Sequence, residues 1–348
     1  MKLSRRQEQI LSLVVENYIA TGEAIGSKAL CDELGFSSAT IRNEMSSLGQ
    51  LGYLEQKHVS GGRIPSNLGY RYYVDNLMSR SALSDIECAS LEAALRKDAH
   101  TPDKIIENAG NMLARLTNCA TVFTTPADSQ AQIQKVELIP ATKKTALLIL
   151  LTSSGIIKNC VCRIDIDIDD SVKNRFEDIV NDYFLQKKVT ELTDDMLAEI
   201  TMTLGEEGYS ITPLLSALYN LSKDVGESKT IIEGETNLLA HREAYGNINE
   251  LLDFLKQREQ LSKLVTYEKT PDNNTLSILI GSENYFREME SSSMILSRYA
   301  FGNNAMGTLG IIGPTRIDYA KLIPDVEYLT KLVGKLLAEN IDGDEIDE

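Results

Sequence analysis

The stretch GFSSATIRNEMSSLGQLGYLEQKHVSGGRIPS, residues 35–66, constrains the fold more than any other part of the chain. Upstream of it, Ser4 with Gln7 three residues on forms a capping-box pattern that starts a helix. Ile10, Leu11, Val14, Val15, Tyr18 and Ile19 then recur at helical spacing, and Gly22 ends the run. IGSKALCDELG follows: Ser27 as a cap, a short helix carrying Ala29, Leu30 and Leu34, and Gly35 at the position after the last turn. A third helix opens at Ser37 or Ser38 and runs to about Gly49. GYLEQKHVSGGRIPS then reads as two short strands around a Gly-Gly tip. Two helices across a tight glycine turn suggest a helix-turn-helix, and the hairpin makes it winged.

Geometry assigns the faces of the third helix. Ile41, Met45 and Leu48 are spaced to face a core. At about 100° per residue, Ala39, Asn43 and Ser46 lie opposite, flanked by Thr40, Arg42 and Ser47. Asn pairs with an adenine edge and Arg with a guanine edge in the major groove. Ser, Thr and a helix N-terminus suit phosphates. From residue types alone, an ordinary solvated helix face stays open as the alternative. Charge distribution weighs against it. Residues 1–80 hold nine Lys and Arg against eight Asp and Glu, whereas the remaining residues hold 26 against 43. The net charge of −16 therefore lies wholly outside the first 80 residues, and any nucleic-acid contact belongs to that segment. Arg5, Arg6, Lys28, Arg42, Lys57, Arg63 and Arg71 are its local counter-charges for phosphate. Tyr70, Tyr72 and Tyr73 are candidates for stacking on bases or for packing against the winged helix, and a duplex, whose bases are already stacked, favours packing.

At 348 residues the chain suits two or three domains. Strands are expected at 120–124, 133–139, 146–151, 156–164, 276–280, 295–301 and 308–312. Helices are expected at 81–100, 103–118, 172–184, 194–204, 248–263 and 319–337, and one further strand lies in KTIIEGETN. Strands, a helical block and strands again imply an insertion in an α+β domain. Leu214, Leu215, Leu218 and Leu221 are candidates for an interface with a second copy, or for a core within one copy. No apolar run is long enough to cross a bilayer, the N-terminus lacks a signal-peptide h-region, and five sparse cysteines suit a cytoplasmic protein with reduced thiols. Cys160 and Cys162 share a strand face without further ligands at metal spacing. Asp165, Asp167, Asp169 and Asp170 read as a strand ending in a turn rather than a cation site. There is no P-loop, dinucleotide fingerprint, HExxH or nucleophile elbow, and three histidines leave little room for His-based catalysis, so neither an enzyme, a cofactor nor a metal is expected.

GSKALCDELGFSSATIRNEMSSLGQLGYLEQKHVSGGRIPSNLGYRYYVD closely resembles the N-terminal region of the HrcA family, bacterial heat-inducible repressors of chaperone operons. IGSEN at 280–284 and GTLGIIGPTRIDYAKLI at 307–323 resemble the family as well. The resemblance implies a homodimer on an inverted-repeat operator of CIRCE type in double-stranded DNA, with activity modulated by heat and a GroEL-type chaperonin. It implies a winged helix at 1–80, a linker helix at 81–102, a GAF-like α/β domain at 103–166 and 270–338, a mainly helical dimerisation domain inserted at 167–269, and an acidic tail at 339–348. The family motif places Ser38, Thr40, Arg42, Asn43 and Ser46 on the recognition helix, and Lys57, His58, Gly61, Gly62 and Arg63 in the wing. With Ala39 and Arg71 these form the expected DNA-contacting set, Gly61 aside. The alternative is a winged-helix regulator that senses a small ligand through its GAF-like domain.

Overall fold

The computed structural model describes residues 3–56, 61–97, 101–267, 276–301 and 305–342. Helix α1 (Arg5–Thr21) starts at the expected box: Ser4 Oγ accepts from the Gln7 amide, and Gln7 Oε1 accepts from the Ser4 amide. Two otherwise unpaired backbone donors are thereby satisfied, worth about 1 kcal/mol. A single turn, α2 (Cys31–Leu34), stops at Gly35, whose φ of 67° suits glycine. Ser37 caps α3 (Ser38–Gln50) by accepting from the Thr40 amide. Strands β1 (Leu54–Glu55) and β2 (Ile64–Pro65) pair antiparallel, and Ile25 bridges to Arg63 beside them. Ile10, Leu11, Val14, Val15, Leu30, Ile41, Met45 and Leu48 close one core. Helix α4 (Asn67–Tyr72) then widens into a π-helical turn at Tyr73–Leu77.

After α5 (Asp85–Arg96) and α6 (Pro102–Thr117) comes β3 (Ala120–Thr124). Next are β4 (Ile133–Thr142), β5 (Thr145–Thr152), β6 (Ile157–Arg163), α7 (Asp170–Tyr183) and α8 (Asp194–Gly226). The last part holds β7 (Thr230–Glu233), α9 (Ile248–Leu255), α10 (Arg258–Tyr267), β8 (Leu276–Ile280), β9 (Ser292–Phe301), β10 (Ala305–Pro314) and α11 (Tyr319–Asp342). Helix α8 is broken at Gly205, where φ 60° and ψ −148° leave the helical region.

The body is a five-stranded antiparallel sheet in the order β7-β3-β10-β9-β8. Period-two alternation splits its apolar residues between two layers. Phe123, Ile295, Tyr299, Leu309 and Ile311 share one core with residues of α6 and α11. Val122, Met294, Leu296 and Ile312 share the other with Leu251, Phe254 and Leu261.

Strands β4, β5 and β6 pair with one another as a separate sheet beside α7 and α8. The expected division at 166/167 and 269/270 therefore does not follow the sheets. β4–β6 lie with the insertion, whereas β7, α9 and α10 lie with the body. The order of strands along a chain does not reveal which of them pair: β7 lies about a hundred residues from β3, yet Ile231 sits opposite Phe123. The insertion leaves and re-enters at one neck, where the Thr125 amide donates to Lys229 O at 3.0 Å and the Lys229 amide donates to Thr125 Oγ1 at 2.9 Å. Leu214, Leu215, Leu218 and Leu221 are buried within the protomer.

Candidate nucleic-acid interface

The apolar stripe of α3 buries Ile41, Met45 and Leu48, so its opposite face must look outward. Ala39, Arg42, Asn43 and Ser46 are exposed there, whereas Ser38 and Thr40 are half-buried. Among the described residues no side chain engages Arg42 or Asn43. The N-terminal hydroxyls are already organised: Ser38 Oγ lies 2.9 Å from Ser27 Oγ, and Thr40 Oγ1 lies 2.9 Å from Ser37 Oγ. These bonds hold the first turn of α3 in a fixed shape. Glu44 is neutralised by Arg6 at 3.5 Å, so its carboxylate does not oppose a phosphate. Arg6 also lies over the Phe36 ring at 4.8 Å, which makes it part of the scaffold as much as a free cation.

Arg42 and Ser46 meet Gly62 and Arg63 across a groove of about 510 Å³, with Ile25, Ser27, Met45, Gln56 and Gly61 completing its walls. The wing is pressed onto the α1–α2 loop. Ile25 and Arg63 exchange backbone hydrogen bonds of 2.9 and 2.8 Å, and a Cβ on Gly62 would lie 2.6 Å from backbone atoms of Ala24 and Ile25. The structure thus gives Gly62 a spacing role. Lys57 and His58 lie outside the described residues.

Arg71 departs from its expected place. Its guanidinium grips both Glu283 carboxylate oxygens, donates to Ile278 O at 2.6 Å, and lies 3.2 Å from Asp75 Oδ1. The Glu283 hydrogen bonds hold its pKa above the ordinary arginine value, against the opposing effect of burial. The structure therefore sets Arg71 apart from the recognition helix and makes it a tie between α4 and the body. A pairing partner four residues on, Asp75, was the local sign of this. The partner that matters, Glu283, lies more than 200 residues away and left no local signal. Glu283 belongs to the IGSEN segment. Asn67 Nδ2 donates to Ser282 Oγ at 3.4 Å, and a Cβ on Gly281, whose φ is 56°, would collide with the Asn67 amide at 2.3 Å. Asn284 is buried, with Nδ2 within 2.8–3.1 Å of the Gly281, Met289 and Ser292 carbonyls.

A second tie comes from the segment GPTRIDY. Arg316 Nη1 donates to Ile19 O at 3.2 Å, at the C-terminal end of α1. Tyr70 packs on Tyr319 at 5.9 Å between ring centroids, and both rings are buried. Tyr319 OH meets Thr315 O at 2.7 Å and Ser293 Oγ at 2.6 Å. Tyr72 OH donates to Glu8 at 2.8 Å. All three tyrosines of GYRYYVD are engaged within the protein.

Elsewhere, Asp169 caps α7 by accepting from the Val172 amide, and Cys160 Sγ lies 3.4 Å from Cys162 Sγ. Burial raises the Cys162 thiol to about 12. Among the described residues no group of three or more His, Cys, Asp or Glu converges as metal ligands. No described helix is long and apolar enough to cross a membrane.

The family models complete the assignment. "Winged helix-turn-helix transcription repressor, HrcA DNA-binding" matches residues 2–76, and "HrcA protein C terminal domain" matches residues 103–323. The chain belongs to the HrcA family of heat-inducible transcription repressors. The HrcA of Clostridium botulinum (strain Eklund 17B / Type B) is 34% identical over 344 residues, covering 97% of this chain and 98% of its own. The HrcA of Acetivibrio thermocellus is 31% identical over 356 residues, covering 99% and 100%. A crystal structure of a protein described as hypothetical shares the fold, with a TM-score of 0.63 at 23% identity over 97% of this chain and 100% of its own. Both HrcA relatives are named heat-inducible transcription repressors, and the model matched at residues 2–76 is that of a DNA-binding winged helix-turn-helix.

Proposed function

We propose that the protein represses heat-shock chaperone operons in the cytoplasm by binding a CIRCE-type inverted repeat as a homodimer, with activity modulated by heat and a GroEL-type chaperonin. The observation that carries this reading is the outward face of α3: Ala39, Arg42, Asn43 and Ser46 exposed, backed by Arg63 across the groove. Asn43 and Arg42 read base edges, Ala39 admits a base or a thymine methyl, and the ordered first turn meets phosphate. Lys57 and His58 would extend the same surface along the wing.

The five-stranded body is read as the GAF-like domain and the β4–β6 module as the dimerising insertion. The open face of that module supports a symmetric partner. Ile139, Leu147 and Val161 lie side by side across the three strands, with Ile149 next and Leu151 opposite Ile157 beyond it. Val161 is 71% exposed and Ile157 61%, an apolar surface that a monomer would leave in water. A two-fold axis through this face would present two recognition helices to successive major grooves of a palindrome.

A salt series of binding to an inverted-repeat duplex, beside a scrambled duplex, tests the reading. Strong preference for the repeat, falling steeply as salt rises, is the expected result. Equal binding to both, with chaperonin present and absent, would overturn it. A second reading, ligand sensing through the body, is favoured by a cleft of about 710 Å³ bounded by Phe123, Lys158, Lys229 and Ile231. Burial and nearby Lys229 hold the Lys158 ammonium below the usual lysine value there. A small molecule that changes operator affinity without chaperonin would favour this second reading.

A further inference from the structure

We infer that Glu283 and Arg316 are positioning residues that lock the recognition helix at a fixed angle to the body and so set the half-site spacing the repressor accepts. The inference rests on the inverted-repeat reading above.

The two ties hold different helices of the winged helix. Arg316 reaches the last turn of α1, and its guanidinium lies flat on the Gly22 turn, where a Cβ would sit 2.7 Å from Nη1. Glu283 takes Arg71 on α4. A single tie would leave a hinge about its own contact. Two ties on separate elements, with the Tyr70–Tyr319 contact between them, remove that rotation. Helix α1 packs directly on α3, so an angle imposed on α1 is passed to the reading face.

The body side is built to be stiff. Glu283 Oε2 also accepts from the Ile280 amide at 2.8 Å, which fixes the carboxylate before Arg71 arrives. Buried Asn284 pins the same turn to the Met289 and Ser292 carbonyls. Gly281 is required twice, by its positive φ and by the Asn67 amide seated against it. A turn held this firmly transmits position, since packed contacts have discrete arrangements and do not deform smoothly.

The consequence falls on the operator. Adding one base pair between half-sites moves them about 3.4 Å apart and turns one by about 34°. A rigid pair of winged helices rejects that change, whereas a loosened pair absorbs it.

The test uses the full-length protein, wild type and Glu283→Gln/Arg316→Ala, on a single half-site duplex and on inverted repeats with spacers from two base pairs shorter to two longer. The wild type is expected to prefer one spacer by about tenfold or more. The double variant is expected to keep its half-site affinity and base ranking while its spacer preference falls to about twofold. A variant that keeps the wild-type spacer profile overturns the inference. A wild type with no preference for the repeat sinks the underlying reading instead. Should the double variant fail to fold, the near-isosteric Glu283→Gln carries the same comparison alone, with preference lost supporting the inference and preference kept overturning it.

Discussion

Alanine at Gly62 puts the reassigned role of the wing glycine to a quantitative test. A Cβ there would lie 2.6 Å from Ala24 O and 2.6 Å from both the carbonyl carbon and oxygen of Ile25. Ordinary contacts begin at 3.4 Å, so the wing must withdraw by about 0.8 Å. All three obstructing atoms are backbone, and no rotamer relieves them. Withdrawal stretches the Ile25 N–Arg63 O and Arg63 N–Ile25 O bonds, now 2.9 and 2.8 Å, past the range in which they contribute. At about 0.5–1.5 kcal/mol each, their loss costs about 1–3 kcal/mol of winged-helix stability. Arg63 moves with its backbone, which changes its place in the groove shared with Arg42 and Ser46, so operator affinity is expected to fall about tenfold. Urea unfolding followed by circular dichroism reads the stability, and fluorescence anisotropy with an operator duplex reads the affinity. A Gly62→Ala protein matching wild type in both would refute the close-approach argument and return Gly62 to the role of a plain DNA contact.

Asn43→Ala is expected to cost about 1–3 kcal/mol of operator binding and to relax base preference at one position per half-site, measured on a set of single-base operator variants; unchanged ranking would mean that α3 does not read bases through Asn43. Ile149→Asp, at the centre of the open β5 face, should convert a dimer to a monomer in sedimentation equilibrium with little change in melting temperature, because its side chain is not in the protomer core. Asp325 is buried on α11, and burial raises its carboxyl above the ordinary value. The native state therefore disfavours its charged form, and stability falls as pH rises through the window above about 3.9. Asp325→Asn should raise the melting temperature at pH 7, and the gain should vanish below about pH 4. A gain that persists in acid would assign the effect to packing.

Local pattern was most informative where function is local. The α3 stripe, the Ser4 box and the Gly35 stop follow from spacing and capping chemistry within a few residues, and the structure shows each in place. Strand positions at 120–124 and 276–280 coincide with the observed β3 and β8. What stayed hidden depended on distance along the chain. The expected insertion began at 167 because the helical block begins there, yet the pairing of β3 with β7 moves the junction back to the neck at Thr125. Arg71 looked like another basic residue of the winged helix because its partner is Glu283. Likewise Leu214, Leu215, Leu218 and Leu221 fit a core and an interface equally well by pattern, and their burial in one protomer decides for the core. The exposed β5 face was missed for the opposite reason: a strand apolar on both faces, ALLILL, reads as fully buried until its neighbours are known.

The neck at Thr125 and Lys229 makes the β4–β6 module a cassette. Both chain crossings pass the same spot, already stitched by two hydrogen bonds, so a gene lacking codons 126–228 would need only a short loop to close β3 onto β7. Chain ends that meet this closely can be cut, exchanged or circularised without unthreading the sheet around them. The same closeness lets the module be removed or replaced as one piece without changing the strand order of the five-stranded sheet.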